Sequence, residues 1–401
     1  MCDESEGAIV TELSSLSNDS ISQQTFFDLA QLLSPSQPFQ AELLKNLRSE
    51  QYYLPLISLA NRYWLIAALV NKLKPVDLWT HLPPLLQDYL KELEVAYQQR
   101  ALAIHKEVIF VCELLSKANI NVILLKGAAS MFNGVSEPIS SRYMSDIDLL
   151  LPEHQLQKSI AILSREGYYS DDDEFPISAH QHHHAPALIR KDGPCYIELH
   201  HMALSLSASA VLTNNEIWQD AQTVKLNKTI NVQQLSPTQQ VIQCIAHSEL
   251  SDKGYYDKHI DLRQLLTVCS IATHYQSQID WSLVETHFAR IDCLPLLHAT
   301  LYKAFRLYHL LTPITREQDK EAHEHFLTCI DEFLKRQSKP PKLPYLRTVL
   351  EGYRRTSIVN LYGNDGPFAV LKGRLKHLRR HLQMLAKPKY VKRFIRRNLD
   401  K

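Results

Sequence analysis

Two hydrophobic periods alternate along the chain. From Thr25 to about Ala118 apolar residues recur every three or four positions, as in Leu54, Leu56, Leu59, Ala60 and Tyr63 and again in Leu85, Leu86, Tyr89, Leu90 and Leu93. That spacing lays an apolar stripe along helices, so 25–118 reads as a helical region. Leu82-Pro83-Pro84 interrupts it and opens a helix of about thirty residues ending near Asn119. The period then shortens. "INVILLKG" at 120–127 is β-branched and reads as a strand ending at Gly127, followed by the short helix "AASMFN" and a second apolar run, "RYMSDIDLLLP" at 142–152. A helix from about Glu153 to Glu166, a strand at "GYYS", and the strands "ALIR" and "CYIELHH" joined by the turn "KDGP" complete the alternation. Residues 119–235 are therefore a small core with a mixed sheet. From Ser236 to about residue 370 the helical period returns, with Ser236 as a cap and Pro237 just inside the first turn. The fold class is α+β: a small mixed-sheet core flanked by N- and C-terminal helical regions.

Composition changes this picture at the two ends. Residues 1–24 are rich in Ser and acidic residues and read as a loose tail. The last thirty residues carry twelve Lys or Arg against one Asp, and Leu371, Leu375, Leu378, Leu382 and Leu385 form a stripe through them. Residues 371–401 thus read as a basic amphipathic helix that packs on the protein's own acidic remainder, lies on an anionic membrane surface or binds nucleic acid. Elsewhere charge is balanced, with a net value of +1, so no global field selects a nucleic-acid partner. Seven scattered cysteines, none in a Cys-x-x-Cys pair, and no apolar run near the ~20 residues of a membrane span predict a cytoplasmic protein with reduced thiols and no transmembrane segment.

The chemistry sits in the strand at 142–152. Side chains two apart in a strand share a face, so Asp146 and Asp148 stand side by side, with backbones about 7 Å apart. Two such carboxylates raise each other's pKa unless a cation neutralises them, and a compact oxygen pair suits Mg²⁺ together with substrate phosphates. Glu198 in "CYIELHH" is a third carboxylate, with His200 on the same face, and a neighbouring antiparallel strand would bring it beside the pair.

"LLKGAAS", Arg142 before "MSDIDLLLP", "IELHHMAL", His247 in "AHSEL" and Asp261 in "HIDLRQLL" together resemble the nucleotidyltransferase-like family of the polymerase-β superfold, in its poorly characterised bacterial branch. The resemblance spans roughly residues 40 to 275. It implies transfer of a nucleotidyl group from an NTP to an acceptor hydroxyl or phosphate. Asp146, Asp148 and Glu198 would hold Mg²⁺, with Glu198 as base; Gly127 and Ser130 would cradle the triphosphate; Lys126 and Arg142 would neutralise the departing pyrophosphate. The chain departs from many members in having Gly127-Ala128 at the phosphate turn, with 18 residues between Gly127 and Asp146.

Plainer readings compete. The aspartates fit a solvated strand end, and Glu198 fits an exposed edge strand. His180, His182, His183 and His184, with His200 and His201, have the ligand type for zinc, although consecutive loop histidines point in different directions. His247 and Asp261 fit a buried pair linking two helices better than a catalytic role. For the whole protein the alternative is an inactive nucleotidyltransferase-like adaptor that binds RNA or protein through its basic C-terminus.

Overall fold

The computed structural model describes residues 21–35, 41–74, 79, 82–170, 183–338, 370–372 and 374–375. Most of the predicted tail (1–20) and most of the predicted C-terminal helix, including Leu378, Leu382 and Leu385, lie outside these residues. Two compact units divide the chain, Met1–Leu334 and Lys335–Lys401, and the sheet belongs to the first.

Five helices open it: α1 (Gln23–Leu33), α2 (Ala41–Asn46), α3 (Glu50–Arg62), α4 (Ile66–Leu73) and the long α5 (Pro84–Lys117). Pro83 and Pro84 start α5 where a proline's missing N–H costs no intrahelical bond. Then come β1 (Ile123–Leu124), α6 (Lys126–Phe132), β2 (Asp146–Leu150), α7 (Leu156–Arg165), the short β3 (Tyr168–Tyr169) and β4 (Ile189–Arg190), and β5 (Tyr196–His200). The strand expected over 120–127 is shorter than its apolar run because Lys126 already opens a helix. Its pairing continues on both sides, however, through Gln233 N–H to the Val122 carbonyl and Leu125 N–H to the Asp148 carbonyl.

Three elements before residue 236 were not anticipated: α8 (Asn214–Asp220), β6 (Gln222–Lys225) and β7 (Asn231–Gln234). The latter two form a hairpin that completes a mixed five-stranded sheet in the order β5-β2-β1-β7-β6. β1 is antiparallel to β2 and parallel to β7. β2 and β5 are parallel, which corrects the antiparallel expectation. A parallel neighbour still puts Glu198 opposite Asp148, because the register, not the strand direction, decides which side chains meet. The hairpin partner of β5 is instead the 184–188 segment, through antiparallel bridges His184–His200 and Leu188–Ile197.

Alternation along β2 divides the sheet between two cores. Ile147 and Leu149, with Ile197 and Leu199 of β5, are fully buried against the second half of α5 (Ile104, Val108, Val111, Leu115). The opposite face carries Asp146, Asp148, Glu198 and His200. Helices α9 (Pro237–Ala246), α10 (Leu262–Tyr275), α11 (Trp281–Ala289) and α12 (Leu294–Tyr308) follow, and they share their core with α1, α3 and α4. Ser236 caps α9 as the sequence predicts, and Gln239 completes the cap reciprocally.

Candidate active site

The two aspartates occupy different environments. Asp148 is 3% exposed, and its Oδ1 accepts from Lys126 Nζ at 2.7 Å and from His200 Nε2 at 2.9 Å. His200, fully buried, also lies 3.4 Å from Glu198 Oε2. Burial opposes ionisation of Asp148, but the Lys126 ammonium and the His200 ring overcome it and hold the carboxyl far below the usual carboxylate range. Glu198 follows the same logic: burial raises it, and the contact with His200 brings it below its ordinary value. Asp146 has weaker help, from the Lys126 charge and a Ser145 hydrogen bond. Burial, and then repulsion from Asp148 and Glu198, push it up. The cations are reciprocally tuned, with both Lys126 and His200 raised by their carboxylate partners against the opposing effect of burial.

Local structure fixes each of these groups. Lys126 begins α6 at a positive φ of 48°, an uncommon conformation for a residue with a side chain, directly after Leu125 has bonded the Asp148 carbonyl. Gly127 lies against Met144, whose side-chain atoms would stand 3.1–3.2 Å from any Cβ added there. That close approach by itself accounts for a glycine. Ser130 is buried and donates to the Lys126 carbonyl at 3.1 Å. Arg142 donates to Thr267 Oγ1 at 2.5 Å and has its pKa lowered by burial and then by the charge of Arg263. Lys126, Ser130, Arg142 and Thr267 line one small cavity.

Among the described residues, Asp148, Glu198 and His200 offer three ligand atoms within 4.8 Å of one another. His200 shares a strand face with Glu198 in the sequence, but nothing in the spacing says that it bridges two carboxylates. Its Nδ1 is buried without a hydrogen-bond partner. His183 and His184 pack around it at tilted angles with ring centres 5.2 and 5.1 Å away, and His183 is pushed down to about 3 by burial and by the neighbouring histidine and lysine charges. His180 and His182 lie outside the described residues. The expected His247–Asp261 pair is not formed: His247 Nδ1 meets Asp252 at 3.1 Å across a π-helical turn, and Asp261 caps α10 by accepting from Arg263 and Gln264 N–H.

A helix-flanked mixed sheet with a cluster of carboxylates on one face and basic side chains beside it is the architecture of a nucleotidyltransferase core. The family of uncharacterised nucleotidyltransferases matches residues 53–309, more than half of the sequence, and the chain belongs to that family. No curated protein and no solved structure matches it. No helix among the described residues is long and apolar enough to cross a membrane.

Proposed function

We propose that this protein is a cytoplasmic Mg²⁺-dependent enzyme that transfers a nucleotidyl group from an NTP to a hydroxyl or phosphate of an acceptor. The observation that carries the reading is the β2–β5 register, which sets Glu198 opposite Asp148 and one step from Asp146. The donor set fits the ion: the carboxylate oxygens are hard ligands, and the repulsion from Asp148 and Glu198 that raises Asp146 is what a divalent cation would relieve. Asp146, Asp148 and Glu198 would hold it. When bound, Mg²⁺ supplies charge neutralisation at the transferring phosphoryl group.

The protein's own groups do the rest. Glu198, kept ionised by His200, is poised to accept the proton of an acceptor hydroxyl. Lys126 and Arg142, on one cavity with Ser130, supply positive charge for the leaving pyrophosphate. The start of α6 from Gly127 adds backbone N–H groups toward the triphosphate. An adaptor without chemistry has no use for three carboxylates that must be kept charged on a half-buried sheet face.

The test is calorimetric titration of the full chain with each NTP, with and without Mg²⁺, in parallel with Asp146→Asn. Mg²⁺-dependent binding to the wild type that is lost in the variant is the expected result. NTP binding that ignores both the ion and the substitution would overturn the assignment.

A further inference from the structure

Nucleotidyl transfer leaves the acceptor open, and a second cleft that adjoins the Lys126 cavity narrows its chemistry. This cleft, of about 320 Å³, is the size of a small-molecule site. It shares Ser130, Arg142 and Thr267 with the cavity at Lys126. Lys126 lines the first cavity and not the second; Lys72, Arg263 and Trp64 line the second and not the first. A triphosphate held by Lys126 in the first cavity therefore leaves Lys72, Arg263 and Trp64 for a different ligand, with Arg142 common to both walls.

Their chemistry points to a phosphate. The described lining carries three cations, Lys72, Arg142 and Arg263, against the single carboxylate of Glu137. Arg142 and Arg263 are close enough to repel. The Arg142 guanidinium has Thr267 as its hydrogen-bond partner, and that of Arg263 has none among the described residues. Two guanidiniums on one cleft wall, only partly compensated by the charges of Asp261 and Asp148, favour an anion, and their planar forks match phosphate oxygens. Hydroxyls of Ser136, Ser270 and Thr273 add further donors around the same space.

At the rim, Trp64 is 53% exposed, held at φ 58° and stacked on Tyr143 with ring centres 4.7 Å apart. Arg100 lies 5.0 Å from the centre of the Tyr143 ring and steadies the stack. A strained, exposed tryptophan braced from behind presents its free face to whatever enters.

Building on the transfer reading, we propose that the second cleft is the acceptor site and that the acceptor is a phosphorylated molecule with a ring, its phosphate between Arg142 and Arg263 and its ring on Trp64. Phenyl phosphate and phenol are suitable probes, titrated into the full chain by calorimetry and tryptophan fluorescence, with and without a saturating non-hydrolysable Mg²⁺·ATP analogue and with Trp64→Phe identifying the signal. Phenyl phosphate should saturate, bind together with the nucleotide, and weaken at least tenfold in Arg263→Gln and in Ser270→Asp, which places a carboxylate on the cleft wall without touching the arginines. Phenol should not bind. Equal affinity in wild type and both variants overturns the proposal, as does one-for-one displacement by the nucleotide, which would assign the cleft to the triphosphate. Phenyl phosphate that binds with the expected variant dependence to a protein with no affinity for any nucleotide would support the phosphate cleft while removing the transfer reading.

Discussion

Asp146 and Asp148 look equivalent in sequence, yet their removal should have opposite effects on the metal-free protein. Asp148 accepts two charge-assisted bonds at 2.7 and 2.9 Å. At an effective dielectric of about 20, each unit-charge contact at that range is worth about 6 kcal/mol before desolvation. Truncating one partner of a buried pair costs about 3–5 kcal/mol, because the remaining charge is left uncompensated. Lys126 is partly exposed and can turn toward water, so the low end applies: Asp148→Asn should lose about 3 kcal/mol. Asp146 is raised by burial and by its two acidic neighbours, so Asp146→Asn relieves repulsion and should be neutral or slightly stabilising. Urea denaturation of wild type and both variants in EDTA measures the contrast, with both variants expected to lose transfer in Mg²⁺. If Asp148→Asn unfolds at the same urea concentration as Asp146→Asn, the Lys126–Asp148–His200 arrangement does not hold this face of the sheet together and the account of the site fails.

Two further outcomes concern charges outside the site. Lys303 is fully inaccessible and bonds both oxygens of Glu249 at 2.8 and 2.9 Å, so Lys303→Met should destabilise by about 3–5 kcal/mol, and Glu249→Leu in the same chain should recover part of the loss in the same urea assay. Glu216, which caps α8 and receives Arg290, has its pKa lowered to about 2 by Arg290 and the Thr213 contacts. A depressed carboxylate stabilises the fold above its unfolded value near 4.5 and loses that contribution as pH falls toward 2. Thermal melts of Glu216→Gln should therefore differ from wild type at pH 6 and converge with it by pH 2, and a constant offset across that range would contradict the assignment.

Much of the fold was legible in the sequence because its period is strong where burial is one-sided. The α5 stripe, the Ser236 cap and the in-out alternation of Ile147 and Leu149 against Asp146 and Asp148 were all readable. The β6–β7 hairpin was not read, although Val224, Leu226, Ile230 and Val232 alternate toward the core, because four-residue strands carry too few repeats to separate from a polar loop. The direction of β5 was out of reach, since parallel and antiparallel neighbours both place every second side chain on the shared face. His247 was matched to Asp261 by spacing between helices. The structure pairs it with Asp252, five residues on, because a π-helical turn carries Asp252 N–H back to the His247 carbonyl at 2.9 Å.

The candidate site divides along the same line. Residue type and period suggested three carboxylates on one sheet face, but they could not say which cation would be used to keep them there. Asp148 is neutralised by Lys126, and Lys126 reaches it from the first residue of α6 in a left-handed conformation that disfavours a side chain by roughly 1–2 kcal/mol. Strain of that size persists only where a contact of larger magnitude offsets it, and the buried ion pair is such a contact. The positive φ and the ion pair therefore explain each other. The lysine that sequence reading gave to the leaving group is thus also the counter-ion of the central carboxylate, and its charge serves the fold as well as the site.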